Sequence, residues 1–221
     1  RNAQLKFPDK IKKVLIVDYD VHHGNGTQDI FEGDDTVLYM SVHRLEPDFY
    51  PGTGHPDEVG YDKGAGYCVN VPLPPLGYYE QYNNFSDSDY LEVFDHVFMP
   101  IAQEFQPDLV IVSSGFDAAK GDILGSMHVT EYGFSQMVAR LKTLASGRIV
   151  LGLEGGYQVD TTARCAVATL QTLMGELPDL QPTRKTCSPG TYLAIREAVK
   201  YLAPYWECMK NLSDTFKLPI D

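Results

Sequence analysis

Residues 14–28 read VLIVDYDVHHGNGTQ, and within them Asp18, Asp20, His22 and His23 carry groups that can do chemistry. An extended backbone past Val17 would send Asp18, Asp20 and His22 out on one side, because alternate residues of a strand share a face. Carboxylates held together in a partly buried place resist ionisation unless a positive charge sits between them. A divalent metal is the simplest such charge, and carboxylate oxygen with imidazole nitrogen suits zinc with an open coordination position. The competing reading is a helix N-terminus: Asn25 or Thr27 as cap, Gly24 and Gly26 in the turn, and the acids favoured by the helix dipole.

The elements that must position these groups are legible as alternating runs. Residues 14–17 are an unbroken apolar run, as expected of a strand buried on both faces. TVLYMSV (36–42), YCVNVPL (67–73), DLVIVS (108–113) and RIVLGL (148–153) read as further strands, with Pro72 marking an end or an edge. Helical spacing predicts a short helix at 27–31 and longer ones at 89–105, 130–144, 161–174 and 191–209, with Thr130 as a cap and Gly147 as a stop. Residues 45–66 hold too much Gly and Pro for a regular element, and Phe49 and Tyr50 there read as staples to the core. Residues 74–88 read as an irregular insert and 178–189 as a surface excursion. The alternation implies an α/β domain, a mostly parallel sheet with helices on both faces. Ligands collect at the C-terminal edge of such sheets, where Asp20, His22, Asp117 and Tyr157 would meet.

At 221 residues the chain predicts one domain. Thirty acidic against 18 basic residues, a net charge of −12, argue against direct DNA binding and for a cationic substrate. No apolar run approaches the ~18 residues that span a bilayer, so no membrane association is expected. Cys68, Cys165, Cys187 and Cys208 have neither metal-knuckle nor redox-pair spacing, which predicts reduced thiols in the cytosol or nucleus.

Asp20, His22 and Asp117 could hold a metal that activates water. Tyr157, on a Gly-Gly turn, could donate its phenol proton to a developing oxyanion or could be an ordinary core tyrosine. His43 reads as a support behind the site; His55, His96 and His128 read as surface or loop residues.

DYDVHHGNGTQ (18–28), YMSVHR (39–44), FYPGTG (49–54), SSGFDAAKGD (113–122) and LEGGY (153–157), in this order, resemble the zinc-dependent histone deacetylases, specifically class II. The resemblance implies an arginase/deacetylase-like three-layer α/β fold that hydrolyses acetyl-lysine to lysine and acetate. By position, Asp20, His22 and Asp117 match its Zn2+ ligands and Tyr157 the tyrosine that polarises the acetyl carbonyl. Asp18 and Ser41 match a structural K+ site completed by backbone oxygens of Asp20, His22 and Val42. Phe31, Asp34, Val37 and Tyr67 match a second monovalent-cation site. Tyr50 falls on the aromatic lining the substrate tunnel, usually Phe, so its staple reading gives way. Leu124 matches the tunnel rim, and Gly155 and Gly156 fall with the substrate-binding residues.

Tyr157 in place of His implies a competent branch, and Leu124 in place of an acid argues against the polyamine-selective one. A class IIb-like enzyme results, with acetylated histone tails or tubulin as substrates, in the nucleus or cytoplasm. The family's tandem-histidine proton shuttle lies upstream of the first strand. Residues 1–221 are therefore expected to be the C-terminal portion of one catalytic domain, with 178–221 a helical extension. A missing N-terminal half would then be a partner covering an exposed sheet edge. The rivals are a binuclear hydrolase of the arginase type and an inactive fragment or pseudo-enzyme acting as a scaffold.

Overall fold

The computed structural model describes residues 1–75 and 84–215. Five strands, β1 (Val14–Asp18), β2 (Val37–Arg44), β3 (Cys68–Leu73), β4 (Leu109–Ser114) and β5 (Ile149–Leu153), form a sheet of order β3-β2-β1-β4-β5. All of its pairings are parallel, and Asp18 lies level with Ser41 on β2 and Ser113 on β4. β1 is central, which is why its apolar run is buried throughout. β3 is an edge and so tolerates Pro72, which has no amide to give a further neighbour.

Helices α1 (Asn2–Lys6), α2 (Asn25–Phe31), α3 (Asp87–Val93), α4 (Met99–Phe105), α5 (Glu131–Leu141), α6 (Val159–Met174), α7 (Pro189–Leu202) and α8 (Glu207–Thr215) complete the described chain. One sheet face sends Leu15, Val17, Leu38, Met40, Val69, Val110 and Val112 into the main core. There they meet Tyr90, Phe105, Phe134, Val138, Ile195 and Trp206 from the helices that follow. The opposite face packs Val14, Ile16, Val37 and Tyr39 against Ile11 and Phe31 of α2. Towards the strand C-termini this second face turns polar while staying buried, through Asp18, Ser41, His43 and Asn70. β5 is the other edge, where Val150 and Leu153 are exposed.

Several expected boundaries move. The 89–105 helix begins at Asp87, where Ser86 and Asp89 form a capping box, so the expected insert 74–88 ends two residues early. Residues 76–83 of that insert lie outside the described residues. The same helix passes through a π-helical turn, Phe94–Phe98, before α4. Pro100 has no amide for the carbonyl one turn back, and a widened turn ahead of it absorbs the defect. Thr130 stands at the N-cap of α5, but its hydroxyl donates to Asp87 instead of capping.

The expected 191–209 helix is two helices, α7 and α8. Pro204 interrupts it, and the turn lets the Trp206 indole donate to the Gly66 carbonyl at 2.8 Å. Segment 178–189 is no simple excursion, because Cys187 and Ser188 are buried and the Ser188 amide donates to Asp89.

Candidate functional site

β1 ends at Asp18, and the chain leaves the sheet through Tyr19 and Val21, both fully buried anchors of the main core. Between those anchors Asp20 and His22 are turned toward Asp117, which follows β4. One donor atom from each of Asp20, His22 and Asp117 lies within 4.8 Å of the others, the one such grouping of His, Cys, Asp and Glu found among the described residues. Nδ1 of His22 sits 2.9 Å from Asp20 Oδ1 and 3.1 Å from Asp117 Oδ2. The outer oxygens are held too: Asp117 Oδ1 accepts the Val21 amide at 2.8 Å and Asp20 Oδ2 the Gly155 amide at 3.0 Å.

Close backbone approach makes room for these acids. A Cβ at Gly115 would fall 2.1 Å from Asp20 Oδ2, and one at Gly155 would fall 2.1 Å from Asp117 Oδ2. Gly155 thus backs the carboxylates, while Gly156 lies against Thr162.

The electrostatics are those of a cation site. Hydrogen bonds donated by His22 to Asp117 and then to Asp20 push its imidazole up to about 9, despite partial burial. Burial raises both carboxyls; at Asp20 the bonds from His22 and the Gly155 amide outweigh it, whereas Asp117 stays above its ordinary value. Two acids and one imidazole pointing single donor atoms at a common place, and favouring positive charge there, fit a divalent ion with carboxylate and imidazole ligands. A cleft of about 140 Å³ beside them is lined by Asp18, Asp20, His22, Ser113 and Glu154, among others.

Asp18, spaced like the others, does not join the triad. Its oxygens take the Asp20 amide at 3.1 Å and the Tyr39 hydroxyl at 3.2 Å, and burial followed by the Asp20 charge holds its pKa well up. Ser41 is its partner in register and bonds His43 Nδ1 at 2.9 Å; Val42 follows in the core. His43 is fully buried, donates from Nε2 to the Gly54 carbonyl and is pushed down to about 3 by burial. His23 points away from the triad, to Thr53 and Gln28.

Phe31, Asp34, Val37 and Tyr67 cluster where α2 turns into β2. The carbonyls of Phe31, Asp34 and Tyr67 already accept amides from Asp34, Val37 and Tyr39. Phe49 is the ring stacked on His22, with centroids 5.1 Å apart and planes 3° from parallel, and it packs against the main core as a staple should. Tyr50 stands edge-on to His22 at 6.1 Å and is 72% exposed. Leu124 and Tyr157 are each about half exposed. The Tyr157 phenol is raised above its ordinary value by partial burial and by the charges of Asp117, Asp20 and Asp122. His55 and His128 are exposed, and His96 pairs with Glu92.

Sequence reasoning missed Gly115, Asp122 and Arg44. Asp122 ends the SSGFDAAKGD motif and Arg44 ends YMSVHR, so motif membership was their one available signal.

A profile described as the histone deacetylase domain matches residues 3–173. The chain belongs to the histone deacetylase family. Histone deacetylase 15 of Arabidopsis thaliana is 47% identical over 197 residues, 88% of this chain and 34% of that protein. Histone deacetylase clr3 of Schizosaccharomyces pombe is 44% identical over 213 residues, 95% of this chain and 30% of its own. Among solved structures, the histone deacetylase Clr3 superposes with a TM-score of 0.88 at 43% identity, over 94% of this chain and 34% of that one. The HDA15 HD domain gives 0.83 at 43% identity, over 95% of this chain and 55% of that one. The class II resemblance and the deacetylase-like α/β fold therefore hold, and the chain spans about a third of the length of the curated relatives it matches.

Proposed function

We propose that this chain supplies the metal-binding and carbonyl-polarising groups of a zinc-dependent protein lysine deacetylase. The observation that carries the reading is the convergence of Asp20, His22 and Asp117 in a member of the histone deacetylase family. These residues would hold Zn2+, which when bound supplies Lewis acidity and lowers the pKa of water from about 16 to about 7. Water then adds to the acetyl carbon, the C–N bond breaks, the lysine nitrogen gains a proton, and acetate leaves.

In this reading Tyr157 donates its hydroxyl proton as a hydrogen bond to the carbonyl oxygen as negative charge grows there. Phe49 holds the His22 ring flat, while Tyr50, Leu124, Gly155 and Gly156 border the acetyl-lysine side chain. Asp18, Ser41 and Val42 would form one structural K+ site and Phe31, Asp34, Val37 and Tyr67 another. The buried, raised Asp18 carboxyl supports the first, since a cation beside it would favour its ionised form. Acetylated histone tails, or tubulin, would be the substrates, in the nucleus or cytoplasm.

The proton-shuttling histidine pair is assigned to a segment outside these 221 residues, which would be the C-terminal portion of one catalytic domain with 178–221 as its helical extension. The open edge at β5 supports that assignment. A scaffold role is disfavoured by the complete ligand set and the protonated Tyr157. A binuclear site would need further metal-facing carboxylates, and among the described residues no second grouping occurs.

Tyr157→Phe in the intact protein tests the reading. Turnover of an acetyl-lysine peptide should fall about 10²- to 10³-fold with zinc content unchanged. Undiminished turnover would overturn the role given to Tyr157.

A further inference from the structure

Tyr157 follows two glycines just beyond the end of the edge strand β5, so no ladder bond of the sheet fixes it. The Gly155 amide is committed to Asp20, and Gly156 has φ 132°, a left-handed value that favours glycine. What meets the Tyr157 backbone is Asp122. Its Oδ2 accepts the Tyr157 amide at 2.6 Å, while its Oδ1 accepts the amides of Leu124 at 2.8 Å and Gly125 at 3.1 Å. One carboxylate thus closes the turn of the rim loop and ties that turn to a residue 35 positions later.

The loop is itself fastened to the metal-ligand side. A Cβ at Gly125 would fall 1.9 Å from the Asp117 carbonyl oxygen, so the two backbones are in contact. Arg44 Nη1 donates to the Gly125 carbonyl at 3.1 Å. The same guanidinium lies 4.4 Å from the centroid of the Phe49 ring, which is stacked on His22. Contacts therefore run unbroken from His22 through Phe49, Arg44, Gly125 and Asp122 to the Tyr157 backbone.

We propose that Asp122 is a positioning residue for Tyr157, fixing the phenol relative to the metal ligands through the rim loop that Arg44 secures. This deepens the deacetylase reading and rests on the phenol's role in it. Asp122 touches no reacting atom. Its effect reaches the chemistry only through where it holds Tyr157, and a displacement of about 1 Å in such a group can cost on the order of 10² in rate. Asparagine is nearly the same size but has a single side-chain oxygen, which can serve the turn or the Tyr157 amide and not both.

The test is a double-mutant cycle in the intact protein, combining Asp122→Asn with Tyr157→Phe, alongside amide hydrogen exchange. D122N alone should lower kcat about 10- to 100-fold, with KM for an acetyl-lysine peptide within about two-fold and zinc content unchanged. In the Tyr157→Phe background it should cost less than about two-fold more, because the group through which it acts is already gone. An equal factor in both backgrounds would overturn the proposal, since it would mean that Asp122 acts elsewhere. Slow exchange of the Tyr157 amide in the unsubstituted protein, accelerated by D122N, supports the contact; fast exchange without substitution overturns it even if D122N fails to fold. Should Tyr157→Phe keep full turnover, the phenol's catalytic role fails, while the exchange rates still decide the contact by themselves.

Discussion

Gly115→Ala adds one methyl group at a buried turn and, on the proposed zinc reading of Asp20, His22 and Asp117, should weaken zinc binding about 100-fold. Gly115 does not need a left-handed backbone, so the effect is purely one of space. The new Cβ would lie 2.1 Å from Asp20 Oδ2 and 2.6 Å from both Cβ and Cγ of the same residue. Ordinary contact begins near 3.4 Å, so the carboxylate must retreat by a little over 1 Å. It cannot swing freely, because Oδ1 is held by the His22 ring and amide, both at 2.9 Å, and Oδ2 by the Gly155 amide.

Overpacking of this kind costs about 1–3 kcal/mol of stability. Changes that merely support a metal ligand cost about 10- to 100-fold in affinity, and moving the ligand itself should reach the upper end of that range. The assay is zinc competition against a chromophoric chelator, with urea unfolding run in parallel. Gly26→Ala is the control, because a Cβ there meets nothing within 4 Å inside α2. That substitution should leave zinc affinity unchanged and add about 0.4–1 kcal/mol of stability. A folded G115A protein that binds zinc within about three-fold of the parent would refute the reasoning, since losing a group that merely supports a ligand already exceeds that.

Two further outcomes follow from side chains away from the site. Asp89 is fully buried and accepts from the Ser188 amide and the Thr191 hydroxyl at 2.6 and 2.7 Å while pairing with Arg184; Asp89→Ala should lower stability by about 3–5 kcal/mol. Urea unfolding midpoints would measure this, and a loss below about 1 kcal/mol would mean the pair is not an anchor. His96 is raised chiefly by its bond to Glu92, against a smaller desolvation effect, so its contribution is present below the unfolded value near 6.5 and fades as pH rises through the folded pKa. His96→Gln should cost a few tenths of a kcal/mol below about pH 6.5 and less in alkali; the same cost at both would contradict the pairing.

The strands were legible because a central parallel strand needs an apolar run, and residues 14–17 supply one that no amphipathic helix would. The site was legible for a related reason, since the polar residues that follow β1 and β4 are those that can escape the core at the sheet's C-terminal edge. What periodicity does not encode is the partner. Asp87 and Asp89 look like solvated first-turn acids, yet both are fully buried because donors from Thr130, Thr183, Ser188 and Thr191 come to them across the fold. Arg44 could equally have been a solvated strand end; only the folded chain brings it to Phe49 and Gly125. Pro204 was a readable break, but the apolar spacing on either side of it masked the interruption.

Three glycines of the signature segments, Gly24, Gly115 and Gly155, have a common physical origin in the acids. A Cβ at Gly24 would lie 2.3 Å from Asp18 Oδ2, as one at Gly115 would crowd Asp20 and one at Gly155 would crowd Asp117. Each buried carboxylate thus rests against bare backbone, and at Gly155 that backbone also donates its amide. Packing an acid against a peptide unit excludes water from one side of it while leaving the other side for a cation, which is the arrangement a buried anion needs if it is to stay ionised. HHGNG, SSGFD and LEGGY are therefore not turns that happen to lie beside chemical groups. On the proposed metal reading, the absent side chains at Gly24, Gly115 and Gly155 matter to the site as the carboxylates do, and for that reason an alanine at 115 is expected to act on zinc affinity as a displaced ligand would.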